Sequence, residues 1–283
     1  MKITIVIPVY KKDLSEDEIK SLKQCFNILY RYSVTFVTHC KLDTAVYTQL
    51  ADETNVNPKF EYFDKEFFLS INSYNRLLLS RDFYSRFTTE DYIFIYQLDG
   101  FVFKDELEDW CKRGFDYIGA PWLIHYGRGK YEKSNRLYKV GNGGVSLRRV
   151  SAFLERFDRN MPLSVFPFYV KNIRKKKLIP MMIKTLKLLS FLIFSPKTIE
   201  YCLLHLTEDV LPEDCFWADA LSNTKIALKV PDVTTAASFC FEIAPSCLYQ
   251  LTDNKLPFAC HAYKKYEYES FWEKHIRTHN NGS

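Results

Sequence analysis

The chain has 283 residues, of which 47% are hydrophobic, 16% aromatic and 26% charged. This length accommodates one large α/β domain or two small ones, and the apolar content is sufficient for a buried core. The composition excludes a disordered, collagenous or low-complexity chain, because such chains are poor in apolar residues or rich in glycine and proline.

The formal net charge of +5 comes from one segment of the chain. Nine basic residues and no acidic one lie between Arg159 and Ile199. The other 30 basic residues are outnumbered by 34 acidic ones, so the rest of the chain has a net charge of −4. This distribution predicts a local anionic partner and argues against nucleic acid as a partner.

The chain opens with MKITIVIPVY, the pattern of a strand that ends at Pro8, and not with the apolar stretch and cleavage site of a signal sequence. No apolar run is long enough to predict a membrane-spanning helix. We therefore expect a cytoplasmic protein whose eight cysteines stay reduced. No Cys-x-x-Cys spacing indicates a zinc site, and most thiols are expected to be small buried hydrophobic groups.

Strand-like and helix-like segments alternate in the first half of the chain. Apolar strands are predicted at Lys2–Pro8, Val34–His39, Lys59–Phe63 and Asp91–Leu98. The predicted helices run from a capping box at Ser15 and Glu18 to about Tyr32, over Ser73–Phe87, and over Lys104–Arg113 with Gly114 at its end. This order predicts an α/β fold with a mainly parallel central sheet and helices on both faces.

The second half is less regular. It contains three glycines within Gly141–Gly144, a helix predicted to begin at Pro212, and an aromatic-rich end from Ser238 to Ile276. It shows neither an internal repeat nor a linker. We therefore predict a single domain over residues 1–283 with a basic amphipathic insertion at about residues 162–211.

The sharpest candidate for chemistry is the sequence Gln97-Leu98-Asp99-Gly100 at the end of the fourth strand. Ligands of open α/β sheets bind outside the carboxyl ends of the strands. A lone carboxylate there is well placed to hold a divalent cation through oxygen. The alternative is a simple turn, because Asp-Gly is a common turn pair.

Three further features suggest a site. The backbone of Gly143 and Gly144 would let a flat substrate such as a sugar approach closely, although the glycines also fit a bulged turn before a helix. Glu213 and Asp214 either stabilise the first turn of their helix or supply a general base, with Trp217 as a wall for a sugar. His261 lies in an apolar run, where a histidine is more often a hydrogen-bonded core residue than a metal ligand.

Taken together, these segments resemble the bacterial glycosyltransferase-like proteins of the DUF5672 type, which implies a GT-A-like fold, related to the Rossmann fold. The resemblance extends from Ile3 to about Ile276 and weakens across Pro162–Leu211. The matching segments are Ser73–Asn75, Tyr92–Asp99, Asp116–Trp122, Val140–Arg148, Glu213–Trp217 and Pro257–Ala262.

The resemblance implies a role for each candidate residue. Asp99 resembles the last residue of the metal-binding Asp-x-Asp motif, whereas Gln97 departs from the first, so the site has one charge fewer. His261 resembles the late histidine that completes such a metal site. Gly143 and Gly144 resemble the acceptor-side turn. The remaining implied roles are a base at Asp214, contacts to the nucleotide at Pro8, Val9 and Tyr10, and contacts to the donor's sugar or phosphates at Asn75 and Arg76.

We therefore expect an inverting glycosyltransferase of polysaccharide biosynthesis, with a nucleotide-diphosphate sugar as donor and Mn²⁺ or Mg²⁺ as cofactor. The acceptor would be a hydroxyl of a glycan or a lipid-linked sugar. The alternatives are a nucleotidyltransferase that makes nucleotide sugars and a non-catalytic module that binds carbohydrate or a membrane surface. Residues 171–194 combine a cationic cluster with an apolar face, as in helices that bind the anionic inner membrane from the cytoplasmic side. The same face would also suit packing on the domain or in a dimer.

Overall fold

The computed structural model of the protein describes residues 1–123, 137–165, 197–205 and 212–280. Its strands are β1 (Ile3–Pro8), β2 (Ser33–Thr38), β3 (Lys59–Tyr62), β4 (Tyr92–Tyr96), β5 (Phe101–Val102), β6 (Tyr117–Ile118), β7 (Pro121–Leu123), β8 (Leu137–Val140), β9 (Val145–Arg149), β10 (Cys240–Phe241) and β11 (Ala259–Cys260). Its α-helices are α1 (Glu16–Ile28), α2 (Ala45–Glu53), α3 (Ile71–Leu78), α4 (Arg81–Ser85), α5 (Leu107–Lys112), α6 (Val150–Phe157), α7 (Ile199–His205), α8 (Val233–Phe239), α9 (Pro245–Leu251) and α10 (Glu273–Asn280). Two π-helical segments, Cys215–Ala220 and Tyr268–Trp272, complete the longer elements.

A six-stranded sheet with the order β3-β2-β1-β4-β9-β6 organises the fold. The pairs from β3 to β4 are parallel, and β9 runs antiparallel to both of its neighbours. Every residue of β1 and β4 is buried, as expected for strands in the middle of a sheet covered by other elements. The predicted mixed α/β fold with a mainly parallel sheet is confirmed.

Most of the predicted elements occur, with differences at their ends. The capping box is present, because the Ser15 hydroxyl accepts from the backbone of Glu18 while the Glu18 carboxylate accepts from the backbone of Ser15. The single helix predicted over Ser73–Phe87 is instead two helices, α3 and α4. Ser80 causes the break, since its side chain caps α4 by accepting from the Phe83 amide. Gly114 follows α5 at φ +70°, as predicted for a helix end.

The chain divides into two compact units. Unit 1 consists of residues 1–65, 89–149 and 229–283, and unit 2 of residues 66–88 and 150–228. The six-stranded sheet belongs to unit 1. The single domain with an insertion at residues 162–211 stays a prediction, and the basic segment 171–194 lies outside the described residues.

Most of the aromatic residues serve the cores of the units. In unit 1, Phe36 contacts Phe26 of α1 and Tyr47 of α2. Phe94 and Phe258 contact each other and Phe239 of α8. All eight cysteines are free and five are buried, so the prediction that most are small buried groups is confirmed. Burial raises the pKa of Cys111 to about 12 and that of Cys202 to about 11. Within the described ranges, no helix is long and apolar enough to cross a membrane.

Candidate active site

The candidate site lies in unit 1, at the carboxyl end of β4. Because β9 is antiparallel to β4, the beginning of β9 meets the end of β4, and Tyr96 pairs with Val145. The backbone amide of Gln97 donates to the backbone carbonyl of Gly144 over 2.8 Å. Two of the predicted segments, at Asp99 and at the glycines, are therefore neighbours in the sheet.

His261 completes this group. It directly follows β11, and its backbone amide donates to the carbonyl of Phe241 over 2.9 Å. Its Nε2 lies 3.2 Å from Asp99 Oδ1 and 3.3 Å from Gln97 Oε1. The Asp99 side chain is 54% exposed and that of His261 is 13% exposed. The structure thus brings His261 to Gln97 and Asp99, from which it is separated by more than 160 positions in the sequence.

Glu242, which the sequence motifs did not single out, contacts the other nitrogen of the imidazole. Its Oε1 lies 3.1 Å from His261 Nδ1, and its side chain is 16% exposed. Glu242 follows β10, which pairs in parallel with β11 so that Phe241 is opposite Cys260. The one signal in the sequence was a carboxylate within the otherwise apolar run Cys240–Ala244.

The two carboxylates control the charge of the imidazole. Burial lowers the pKa of His261, but hydrogen bonds and attraction to Asp99 and Glu242 outweigh it and raise the pKa to about 10. Burial raises the pKa of Asp99, and its contact with His261 more than offsets this, so the net shift is downward. The pair is therefore an imidazolium–carboxylate contact at neutral pH, and a metal ion at Nε2 would have to displace a proton.

The oxygen and nitrogen atoms that meet at the end of β4 are of the kinds that bind a divalent cation. Asp99 offers a carboxylate oxygen and Gln97 an amide oxygen, which suit Mn²⁺ or Mg²⁺. His261 offers an imidazole nitrogen, which suits Mn²⁺ better than the harder Mg²⁺. Within the part of the chain that the structure describes, no group of three or more His, Cys, Asp or Glu side chains is arranged to hold a metal ion. Asp99 and His261 would supply two ligands and Gln97 no charge, and a metal site at these residues stays a prediction.

The glycine cluster supports the site by admitting protein side chains at close range. A Cβ at Gly144 would collide with the imidazole of His261, and a Cβ at Gly141 would collide with the ring of Trp122. Asn142 adopts φ +77° and stabilises the turn, because its Oδ1 accepts from the Gly144 amide over 2.9 Å. The space beside Gly144 is therefore occupied by His261, and a role of Gly143 and Gly144 in binding an acceptor stays a prediction.

The residues predicted to contact the nucleotide are at the end of β1. Pro8 and Val9 are buried, and the Val9 amide donates to the carbonyl of Val37 over 2.9 Å. Tyr10 is 61% exposed. Of these three residues, Tyr10 thus presents the side chain that is open to a ligand.

Unit 2 contains the predicted acidic pair. Glu213 is buried, and its backbone amide donates to the side-chain oxygen of Asn75 over 3.0 Å. Asp214 is partly exposed, and its Oδ1 accepts from the amide of Cys215 over 2.8 Å. Asn75 thus supports the chain just before the π-helical segment Cys215–Ala220. Arg76 is exposed and lines a cleft of about 220 Å³ in unit 2.

Trp217 occupies a different environment from the one expected. Its side chain is completely buried, and its indole nitrogen donates to the carbonyl of Leu78 over 3.4 Å. Four aromatic rings contact it edge-on: Tyr84, Phe153, Phe157 and Phe216. A ring enclosed in this way is part of the core of unit 2, so the predicted acceptor contact of Trp217 is not retained.

Solved structures that match the chain include glycosyltransferases. An active-site mutant of LgtC matches with a TM-score of 0.50 and 12% identity, over 98% of this chain and 95% of that chain. The apo form of glycosyltransferase GlyE from Streptococcus pneumoniae TIGR4 matches with a TM-score of 0.48 and 12% identity, over 100% and 61%. The Mn/GDP form of core-mannan synthase A from Aspergillus fumigatus matches with a TM-score of 0.37 and 14% identity, over 44% and 43%. The chain thus spans less than two thirds of the latter two proteins.

The sheet order and the match to LgtC define a GT-A glycosyltransferase fold, as predicted. At the level of sequence, the family described as "Protein of unknown function (DUF5672)" matches residues 57–261. The chain belongs to this family, and the resemblance drawn from its motifs is confirmed over that range. No curated protein matches the sequence.

Proposed function

We propose that the protein is a glycosyltransferase that moves a sugar from a nucleotide-diphosphate sugar to a hydroxyl of a glycan or lipid-linked acceptor, assisted by Mn²⁺ or Mg²⁺. The observation that carries this proposal is the convergence of Asp99, Gln97 and His261 at the carboxyl end of β4. This is the edge at which α/β sheets bind their ligands. The GT-A fold supports the choice of reaction class.

The residues of unit 1 would bind and orient the donor. Asp99 and His261 would hold the cation, which when bound neutralises charge that develops on the leaving nucleoside diphosphate. Gln97 would accept a hydrogen bond from a ribose hydroxyl or a metal-bound water. Tyr10, beyond the buried Pro8 and Val9, would contact the base or ribose of the nucleotide. We keep Asn75 and Arg76 as proposed contacts to the donor's sugar or phosphates.

Asp214 is the better general base of the acidic pair. A base must reach the acceptor hydroxyl, and Asp214 is partly exposed whereas Glu213 is buried. Its Oδ1 is engaged by the Cys215 amide, which orients the carboxylate. Removal of the acceptor proton by Asp214 would accompany direct attack on the anomeric carbon, so we propose inversion of configuration.

Replacing Asp214 with Asn is expected to lower the rate of transfer about 10²-fold, because the amide cannot accept the proton. The rate is measured with saturating donor and acceptor. The matched control is Asp219→Asn, which removes a carboxylate from the π-helical segment that begins directly after Asp214 and should retain near-normal transfer. Equal rates for Asp214→Asn and the control would eliminate Asp214 as the base.

The reaction class is tested by thermal unfolding with UDP- and GDP-sugars, each with and without Mn²⁺. A rise of the midpoint that needs both the donor and Mn²⁺ is expected, because a ligand that binds only the folded state stabilises it. Donors that raise the midpoint are then assayed for sugar transfer. A nucleotidyltransferase would instead release pyrophosphate from a nucleoside triphosphate and a sugar phosphate. A binding module, which the neutral Gln97 would favour, would show no response to nucleotides.

We also propose that residues 171–194 bind an anionic membrane, on the basis of their composition alone. Liposome flotation is expected to recover the full chain with vesicles that contain an anionic phospholipid and not with purely zwitterionic vesicles. Deletion of residues 171–194 should abolish recovery, provided that circular dichroism shows the remainder to be folded. Undiminished flotation of the folded deletion variant would disprove the membrane contact.

A further inference from the structure

Glu242 has no role in the proposed reaction so far, yet it is the second carboxylate on the imidazole of His261. Its Oε1 lies 3.1 Å from Nδ1, on the opposite side of the ring from Asp99 and Gln97. A protonated Nδ1 that donates to Glu242 leaves Nε2 as the nitrogen available to a metal ion. The contact therefore selects which atom of His261 faces Asp99.

We infer that Glu242 is a positioning residue, which accepts from Nδ1 and fixes the orientation of His261, so that Nε2 is held beside Asp99 and becomes a ligand for a divalent cation once the ion displaces its proton. The inference deepens the proposed function and rests on it, because the cation at Asp99 and His261 belongs to that proposal. In this proposal Glu242 is not a ligand of the cation, and it acts through the imidazole.

Backbone hydrogen bonds between β10 and β11 fix the positions of Glu242 and His261 relative to each other. β10 and β11 pair in parallel, with Phe241 opposite Cys260, and the amide of His261 donates to the carbonyl of Phe241. Glu242 and His261 are therefore the first residues beyond two adjacent strand ends. Both side chains are largely covered, with 16% and 13% of their surfaces exposed.

Close packing restricts the imidazole further. A side chain at Gly144 would collide with Nε2, Cε1 and Cδ2 of the ring, so the backbone of Gly144 lies directly against it. The ring is then limited by Gly144, by Glu242 at Nδ1 and by Asp99 and Gln97 at Nε2. A rotation that presented Nδ1 to Asp99 would break the contact with Glu242.

Glu242 also compensates for the charge that Gln97 lacks. Among the groups that face Nε2, Asp99 is the carboxylate and Gln97 is neutral. A carboxylate that accepts from the other nitrogen makes an imidazole a stronger ligand, and loss of such a partner typically weakens metal binding by about 10- to 100-fold. Glu242 thus places a second negative charge beside the imidazole, without being a ligand of the cation itself.

The test is a titration of the protein with Mn²⁺ alone. Binding is measured as the loss of the free-ion signal in electron paramagnetic resonance. Glu242→Gln keeps the size of the side chain and removes its charge, and Glu242→Ala also removes the hydrogen bond. We expect about 10-fold weaker Mn²⁺ binding for Glu242→Gln and up to about 100-fold weaker binding for Glu242→Ala. The control Glu108→Gln removes an exposed carboxylate that pairs with Lys112 in the same unit, and its Mn²⁺ affinity should equal that of the wild type.

Thermal unfolding of the same variants separates positioning from a purely structural role. A structural role would lower the midpoint of Glu242→Gln and leave its Mn²⁺ affinity within twofold of the wild type, and this result would overturn the inference. A wild-type chain that binds no Mn²⁺ would also overturn it. Weaker Mn²⁺ binding by Glu242→Gln in a protein that transfers no sugar would instead uphold the inference and refute the proposed transferase.

Discussion

Asp99→Asn is expected to abolish measurable sugar transfer, a loss of about 10³-fold, while leaving the fold intact. The substitution removes the carboxylate that faces Nε2 of His261 over 3.2 Å and keeps the size of the side chain. Without it, the cation site retains one imidazole and the neutral amide of Gln97. The fold should survive because more than half of the Asp99 side chain is exposed and makes no part of the core.

The experiment compares transfer rates and thermal unfolding midpoints of Asp99→Asn and Asp109→Asn. Asp109 is a suitable control because its carboxylate is 73% exposed on α5, where it contacts Lys112. Transfer by the control should equal that of the wild type, and both midpoints should remain within a few degrees. Full turnover by Asp99→Asn would refute the assignment of Asp99 to the metal site.

Trp217→Ala is expected to reduce the free energy of unfolding by about 3–5 kcal/mol, measured by urea denaturation. The indole is fully buried among aromatic rings, with ring centroids 5.0 Å away at Phe153 and 5.3 Å away at Phe157. Alanine would leave a cavity and would leave the carbonyl of Leu78 without its donor. A loss of this size is a large fraction of the stability of an ordinary domain.

Tyr30→Ala provides the matched exposed site, since Tyr30 is 70% exposed, and its free energy of unfolding should change by less than about 0.5 kcal/mol. The comparison also decides between the two interpretations of Trp217. If Trp217 were a sugar-binding wall, alanine would raise the concentration of acceptor needed for half-maximal rate and leave the stability unchanged. That combination would reinstate the acceptor contact.

Local signals in the sequence were sufficient for much of the fold and for part of the site. The capping box at Ser15 and the continuous apolar runs at β1 and β4 depend on neighbouring residues, so they can be read from short segments. Asp99 could be predicted as a site residue for the same reason, because a carboxylate that directly follows a buried strand lies at the ligand-binding edge of the sheet.

The remaining features depend on tertiary structure. Glu242 approaches His261 through the pairing of β10 and β11, which have two residues each and are too short for a periodic pattern. Trp217 lies in a π-helical segment in which Leu221 donates to the carbonyl of Phe216, and a pattern based on 3.6 residues per turn does not predict which face is buried. The antiparallel direction of β9, which brings Gly144 to Gln97, has no local signal at all.

The distribution of the cysteines makes the protein convenient for fluorescence. All eight are free, but Cys40 alone among them is exposed, and it follows β2 at the carboxyl edge of the sheet. Burial raises the pKa of the others that contact the core, such as Cys25 and Cys260, which keeps them in the unreactive thiol form. A maleimide dye would therefore attach first at Cys40. It would place a reporter at the sheet edge that we propose for the donor, in a chain that needs no cysteine to be replaced beforehand.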